Sequence, residues 1–117
     1  MRSNRWRGYF RWAFAAGLVL VMALSLAPPQ LPLPTTGWDK ANHALAFAIL
    51  AVLGLASYPR RMTLVLLALL AYGGLIEVLQ GLTPYRTAEW LDLGADSVGL
   101  AIGSMLTRFS PGRLQQD

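Results

Sequence analysis

His43, Glu77 and Asp96 are ionisable residues set inside apolar runs of a 117-residue chain. A charge at the centre of a membrane-spanning helix costs at least about 2.5–3.5 kcal/mol on insertion scales, so it needs a partner, a water cavity or a function. An imidazole and two carboxylates in such a setting can hold a polar group, exchange protons, or serve as acid and base. Other polar side chains extend the set at helical spacing. Asp39 shares a helical face with His43, as Asp92 does with Asp96, each pair at i,i+4. Lys40 precedes His43, and Gln80 follows Glu77, at i,i+3. The segment Thr83-Pro84-Tyr85-Arg86-Thr87-Ala88-Glu89-Trp90 adds the Arg86 guanidinium, which can hold a carboxylate or phosphate through two hydrogen bonds or pair with Asp92 or Glu77. The candidate binding set is therefore Asp39, Lys40, His43, Glu77, Gln80, Arg86, Asp92 and Asp96.

Each of these residues also has a plain structural role. Asp39 can cap a helix N-terminus. Asp96 can favour the positive end of a helix dipole. Lys40 and Arg86 can anchor at a membrane interface. His43 and Glu77 can satisfy a hydrogen bond between helices. What favours a shared site is coincidence: three separate segments each carry an ionisable residue at one depth.

The segments that must position these residues read as membrane spans. Hydrophobic residues make up 55% of the chain and charged ones 14%, against about a quarter charged in soluble domains. A bilayer core needs about 20 predominantly apolar residues per helix. Four stretches fit: 9–27, 40–58, 62–82 and 92–109. Prolines follow them, at Pro28-Pro29, Pro59, Pro84 and Pro111, where helices stop. The last stretch is the least apolar. Short joins make successive helices antiparallel neighbours, so the expected fold is all-α, a single-domain four-helix transmembrane bundle. The first stretch has a basic start, but Ser25-Leu26-Ala27 before Pro28-Pro29 makes a poor cleavage site, so it is expected to stay as a span.

Orientation follows the basic residues. Arg2, Arg5, Arg7, Arg11, Arg60, Arg61, Arg108 and Arg113 fall on one side of a four-span chain. Lys40 and Arg86 complete the 10 basic residues on the other. Both termini are thus expected in the cytoplasm, and the candidate set near the outer face. Trp6, Tyr9, Trp12, Trp38, Tyr58, Tyr85 and Trp90 lie near span ends, as an aromatic belt does. The net charge of +4 is explained by arginines flanking apolar runs, so nucleic-acid binding is not expected.

Glycines give the helices room to meet. Gly99 and Gly103 continue the Asp92/Asp96 stripe as a seam of small residues, which lets helices pack closely. Gly73 and Gly74 offer the third helix a similar approach below Glu77. His43 with Glu77, Asp92 and Asp96 could ligate a divalent ion, but with no cysteine and one histidine the donor set is thin, and neither metal nor cofactor is expected. Ser97 and Ser104 have no base arranged nearby in sequence.

Three blocks resemble the VanZ-like family of small membrane proteins. Asp39-Lys40-Ala41-Asn42-His43 followed by Phe47 is similar to the family's D-K-x-x-H-x-x-x-F block. Glu77-Val78-Leu79-Gln80 is similar to its E-x-x-Q block. Arg86 through Asp92 and Asp96 to Gly99 and Gly103 resembles its R-x(5)-D-x(3)-N-x-x-G-x(3)-G pattern. The blocks occur in order between Trp38 and Ser104. One departure matters: the family often carries Asn where Asp96 stands, and an acid can share a proton where an amide cannot. The resemblance implies a cell-envelope protein of the bacterial cytoplasmic membrane, linked to teicoplanin-type glycopeptide resistance. The expected partners are membrane lipids and a cell-wall precursor or glycopeptide, bound through an anionic group by Arg86 and Lys40. An acid/base enzyme acting on a lipid head group is the first alternative. A structural subunit docking a partner through the Gly99/Gly103 seam is the second. A proton-coupled transporter would need carboxylates or histidines in the cytoplasmic halves of the spans, which have none.

Overall fold

The structure, a computed structural model, describes residues 2–27, 39–84 and 88–108. They form four α-helices and no strand: α1 (Arg2–Leu26), α2 (Asp39–Ser57), α3 (Met62–Leu82) and α4 (Trp90–Arg108). The turn between α2 and α3 is tight. Tyr58 N–H donates to Gly54 O at 2.9 Å, and Arg61 N–H to Tyr58 O at 3.0 Å. Pro59 lacks the N–H that would carry α2 further. α3 ends at Thr83, whose extended backbone (φ −94°, ψ 129°) is what a following proline imposes. The Thr83 hydroxyl donates to Leu79 O at 2.8 Å. α4 begins two residues ahead of the sequence expectation, because Glu89 O accepts from Asp92 N–H at 2.8 Å and closes a turn around Trp90. α1 reaches back through the arginine-rich start to Arg2.

Successive helices alternate in direction, so α2 and α4 run parallel. They share the most extensive interface, with α1 against α2 and α3 against α4. Small residues make the α2–α4 approach possible. A Cβ on Gly103 would lie 2.6 Å from both Ala48 O and Ala51 Cβ, and one on Gly99 would overlap Ala44 O. The expected glycine seam therefore exists, and α2 fills it. Gly73 likewise lets α3 approach α4, whereas Gly74 faces open space. The core runs through Phe47, Leu50, Ala51, Leu55, Val65, Leu69, Ile76 and Leu100.

Among the described residues, three helical segments are long and apolar enough to cross a membrane: Trp6–Leu26, Lys40–Ser57 and Met62–Leu82. Their outward faces carry Trp12, Val19, Leu20, Leu45, Leu64 and Leu67, all exposed. Such a surface suits lipid and is a liability in water. α4 is as long as α2 but does not meet that measure, because Asp92, Asp96 and three glycines dilute its apolar residues. Those acids are buried against the other helices, while Leu91, Val98, Ile102, Met105 and Leu106 face outward.

Polar contacts tie α1 to its neighbours. Arg11 Nε donates to Ser57 O at 3.2 Å, and its guanidinium lies 4.6 Å from the Tyr58 ring centroid. A cation there meets the negative end of the α2 dipole. The Tyr72 hydroxyl donates to Leu18 O.

Candidate functional site

The first turns of α2 and α4 and the last turns of α3 meet at one end of the molecule. Because α2 and α4 are parallel and in register, the i,i+3 pair Lys40/His43 faces the i,i+4 pair Asp92/Asp96. Lys40 Nζ donates to Asp92 Oδ1 at 2.8 Å and to Glu89 Oε1 at 2.7 Å. His43 lies one turn deeper, between two acids. Its Nδ1 is 3.0 Å from Asp96 Oδ1, and its Nε2 is 3.4 Å from Asp92 Oδ2. α3 brings Glu77, whose Oε1 accepts from the Glu89 backbone N–H at 2.8 Å. One ligand atom from each of His43, Glu77 and Asp92 falls within a sphere of contacts no longer than 4.8 Å.

Burial grades from rim to floor. Side-chain exposure is 55% at Glu89, 28% at Lys40, 11% at His43, 5% at Asp92 and 0% at Asp96. Glu77 is also fully buried, and its Oε2 has no hydrogen-bond partner among the described residues. Charged groups at this depth demand compensation. Each imidazole–carboxylate contact needs a proton between the two atoms, and a neutral ring carries only one. A second proton or another cation is needed to satisfy both sides of His43. Among the described residues, Lys40 and His43 face four carboxylates: Glu77, Glu89, Asp92 and Asp96.

Glycine shapes the floor. A Cβ on Gly73 would lie 2.6 Å from Asp96 Oδ2 and 3.2 Å from Leu93 Cδ1. The Asp96 carboxylate therefore occupies the space that any larger residue would take.

Of the sequence-derived set, Lys40, His43, Glu77, Asp92 and Asp96 come together. Gln80 is buried beside Glu77 but turns toward α1, where its Nε2 donates to Ser25 O at 2.9 Å. Its described contact ties helices together. Asp39 is the first residue of α2, but its side chain lies outside the described residues, as does Arg86. Glu89 belongs to the site and was not in the candidate set. Its i,i+3 spacing to Asp92 was the available signal, but its backbone contact to Glu77 has no side-chain signature. Ser97 and Ser104 make hydrogen bonds within α4, to Leu93 O and Ala101 O.

A family model described as VanZ/LLP1 matches residues 10–110, which takes in all four helical cores and the whole described site. No curated protein and no solved structure matches the chain. The chain belongs to the VanZ/LLP1 family.

Proposed function

We propose, on the premise of that membership, that this VanZ-like protein is a multi-pass protein of the bacterial cytoplasmic membrane whose site receives the polar head of an envelope amphiphile. In this reading all four helices cross as a bundle, both termini are cytoplasmic, and the site opens beneath the outer headgroups. The distribution of arginines supports the orientation. The lipid-suited outward face of α4 supports a fourth crossing.

The observation that carries the reading is the graded site itself. A rim of exposed Glu89 and half-buried Lys40 leads down past half-buried His43 to buried Asp92, Asp96 and Glu77. The acid surplus refines the expected ligand. A bare anion would meet four carboxylates, with Lys40 already engaged by two of them. A head group that also carries an amine fits better, since the ammonium can face the acids while its phosphate faces Lys40 and Arg86. Phosphoethanolamine lipids and amine-bearing cell-wall precursors share that chemistry, and a glycopeptide would offer an amine with a carboxylate in place of the phosphate. The link to teicoplanin-type resistance is the phenotype this reading predicts.

Native mass spectrometry of the full chain, offered phosphatidylethanolamine and phosphatidylglycerol in equal amounts, tests it. The expected result is preferential retention of the amine-bearing lipid, lost in Asp92→Asn. Equal retention of both lipids, unchanged by the variant, would reject the reading.

A second reading has its own observation: His43 held by a buried carboxylate is the arrangement of an oriented acid/base group. It would act on a head-group ester. Formation of a new lipid product by purified protein, absent in His43→Gln, would favour it. Partner docking through Gly99 and Gly103 has less support, because α2 already packs on both.

A further inference from the structure

We propose that His43, Glu77 and Asp92 bind a divalent transition-metal ion, Zn2+ by preference, with Asp96 as the carboxylate that orients the histidine. The ion would take the acids that an ammonium faces in the metal-free site, so the two are alternative occupants of one cluster.

The donor set is one imidazole and two carboxylates, which suits Zn2+ and its neighbours. Two donors about 2.1 Å from a tetrahedral ion stand about 3.4 Å apart. His43 Nε2 and Asp92 Oδ2 are 3.4 Å apart. The Glu77 ligand atom completes a group spanning no more than 4.8 Å, a small side-chain adjustment from closing on one ion.

Glu77 supplies the independent pointer to a ligand. It is fully buried, its carboxylate faces this cluster, and its Oε2 lacks a hydrogen-bond partner among the described residues. A buried carboxylate oxygen of this kind costs free energy unless a proton, a hydrogen-bond donor or a cation meets it, and a cation between Glu77, His43 and Asp92 would serve all three.

The surroundings of the three donors match what metal sites require. Metal-bound histidines usually donate their other ring N–H to a carboxylate, which fixes the tautomer. Asp96 Oδ1 lies 3.0 Å from His43 Nδ1 and is positioned to accept that proton. Nε2 is then a lone pair facing the Asp92 carboxylate, an arrangement a cation between them resolves. Lys40 holds Asp92 by Oδ1 and leaves Oδ2 turned toward His43. An ion of charge +2 also offsets most of the acid surplus. A fourth coordination position is left for water.

The test uses the full chain in detergent micelles, purified without a polyhistidine tag so that His43 is the sole histidine. Equilibrium dialysis against Zn2+ gives the stoichiometry. Substitution by Co2+ reports geometry, because a four-coordinate ion has an intense visible band and a six-coordinate one adsorbed at the surface is pale. The expected result is one Zn2+ per chain and a four-coordinate Co2+ spectrum. Asp96→Asn should weaken binding about 10–100-fold, and Glu77→Gln should abolish the intense band. Gly94→Ala, remote from the donors, should bind as the parent does. No Zn2+ retained at millimolar concentration, or only a pale six-coordinate spectrum, would overturn the proposal. So would unchanged affinity in monodisperse Glu77→Gln. If Glu77→Gln does not fold, the parent's stoichiometry and spectrum decide alone. Failure here leaves the lipid-retention experiment unaffected, since that experiment contains no added metal.

Discussion

Asp96 Oδ1 lies 3.0 Å from His43 Nδ1, and the other oxygen of the same carboxylate sits where a side chain on Gly73 would be. Three helices are thereby coupled at one buried acid. α2 supplies the imidazole, α4 the carboxylate, and α3 the gap that admits it. A change at Gly73 reaches the site without altering any polar side chain.

Gly73→Ala and its neighbour Gly74→Ala form a matched pair. The first places a methyl within 2.6 Å of Asp96 Oδ2, and the second meets nothing within 4 Å. Gly73→Ala should destabilise the protein by about 1–3 kcal/mol, the usual cost of overpacking, and weaken retention of the amine-bearing lipid. Gly74→Ala should leave lipid retention unchanged and be neutral or stabilising by up to about 1 kcal/mol. Thermal unfolding in detergent, followed by native mass spectrometry, measures both.

The α2–α4 seam makes a second contrast. A methyl on Gly99 would overlap the Ala44 carbonyl, a backbone atom that cannot rotate away. Gly99→Ala should cost about 1–3 kcal/mol by forcing the helices apart. Gly94, in the same helix, has open space around its Cα. Gly94→Ala should be neutral or stabilising by up to about 1 kcal/mol, the difference in helix propensity. Equal losses in the two variants would show that the seam is not a close contact.

Much of this architecture is legible in the residues, and the exceptions have physical reasons. Prolines and apolar length mark the ends of α2 and α3 to within a residue of where they fall. The start of α1 is polar, so apolarity alone places it seven residues late, although the arginine-rich turn is helical. The i,i+3 and i,i+4 pairs in α2 and α4 identify the imidazole and the acids that meet it, because side-chain direction on a helix follows from spacing. Glu89 escapes notice because what it offers Glu77 is a backbone N–H, which every residue but proline has. Gln80 shows the opposite failure. Its spacing from Glu77 is right for a shared face, but the nearest open acceptor is Ser25 O on α1. Which helix fills a glycine seam is a question of topology. Spacing within α4 shows that Gly99 and Gly103 can admit a neighbour, not that the neighbour is α2.

The fourth crossing has a direct test, because the chain contains no cysteine. Leu91 and Arg108 are exposed near opposite ends of α4. In intact cells, a membrane-impermeant maleimide should label Leu91→Cys and spare Arg108→Cys until the membrane is opened. Labelling of both from one side would mean that α4 lies along the membrane, and the proposed orientation would fail.

The central claim, that α2 and α4 hold an imidazole against a buried acid within the bilayer, is tested most directly by solid-state NMR. Protein labelled with 15N-histidine and 13C-aspartate is placed in lipid bilayers without added metal. His43 is the sole histidine, so its ring nitrogens are assigned without ambiguity. The account predicts a strong dipolar contact between Nδ1 and an aspartate carboxylate carbon, which disappears in Asp96→Asn. A ring with no aspartate contact and the shifts of a freely hydrated imidazole would contradict it.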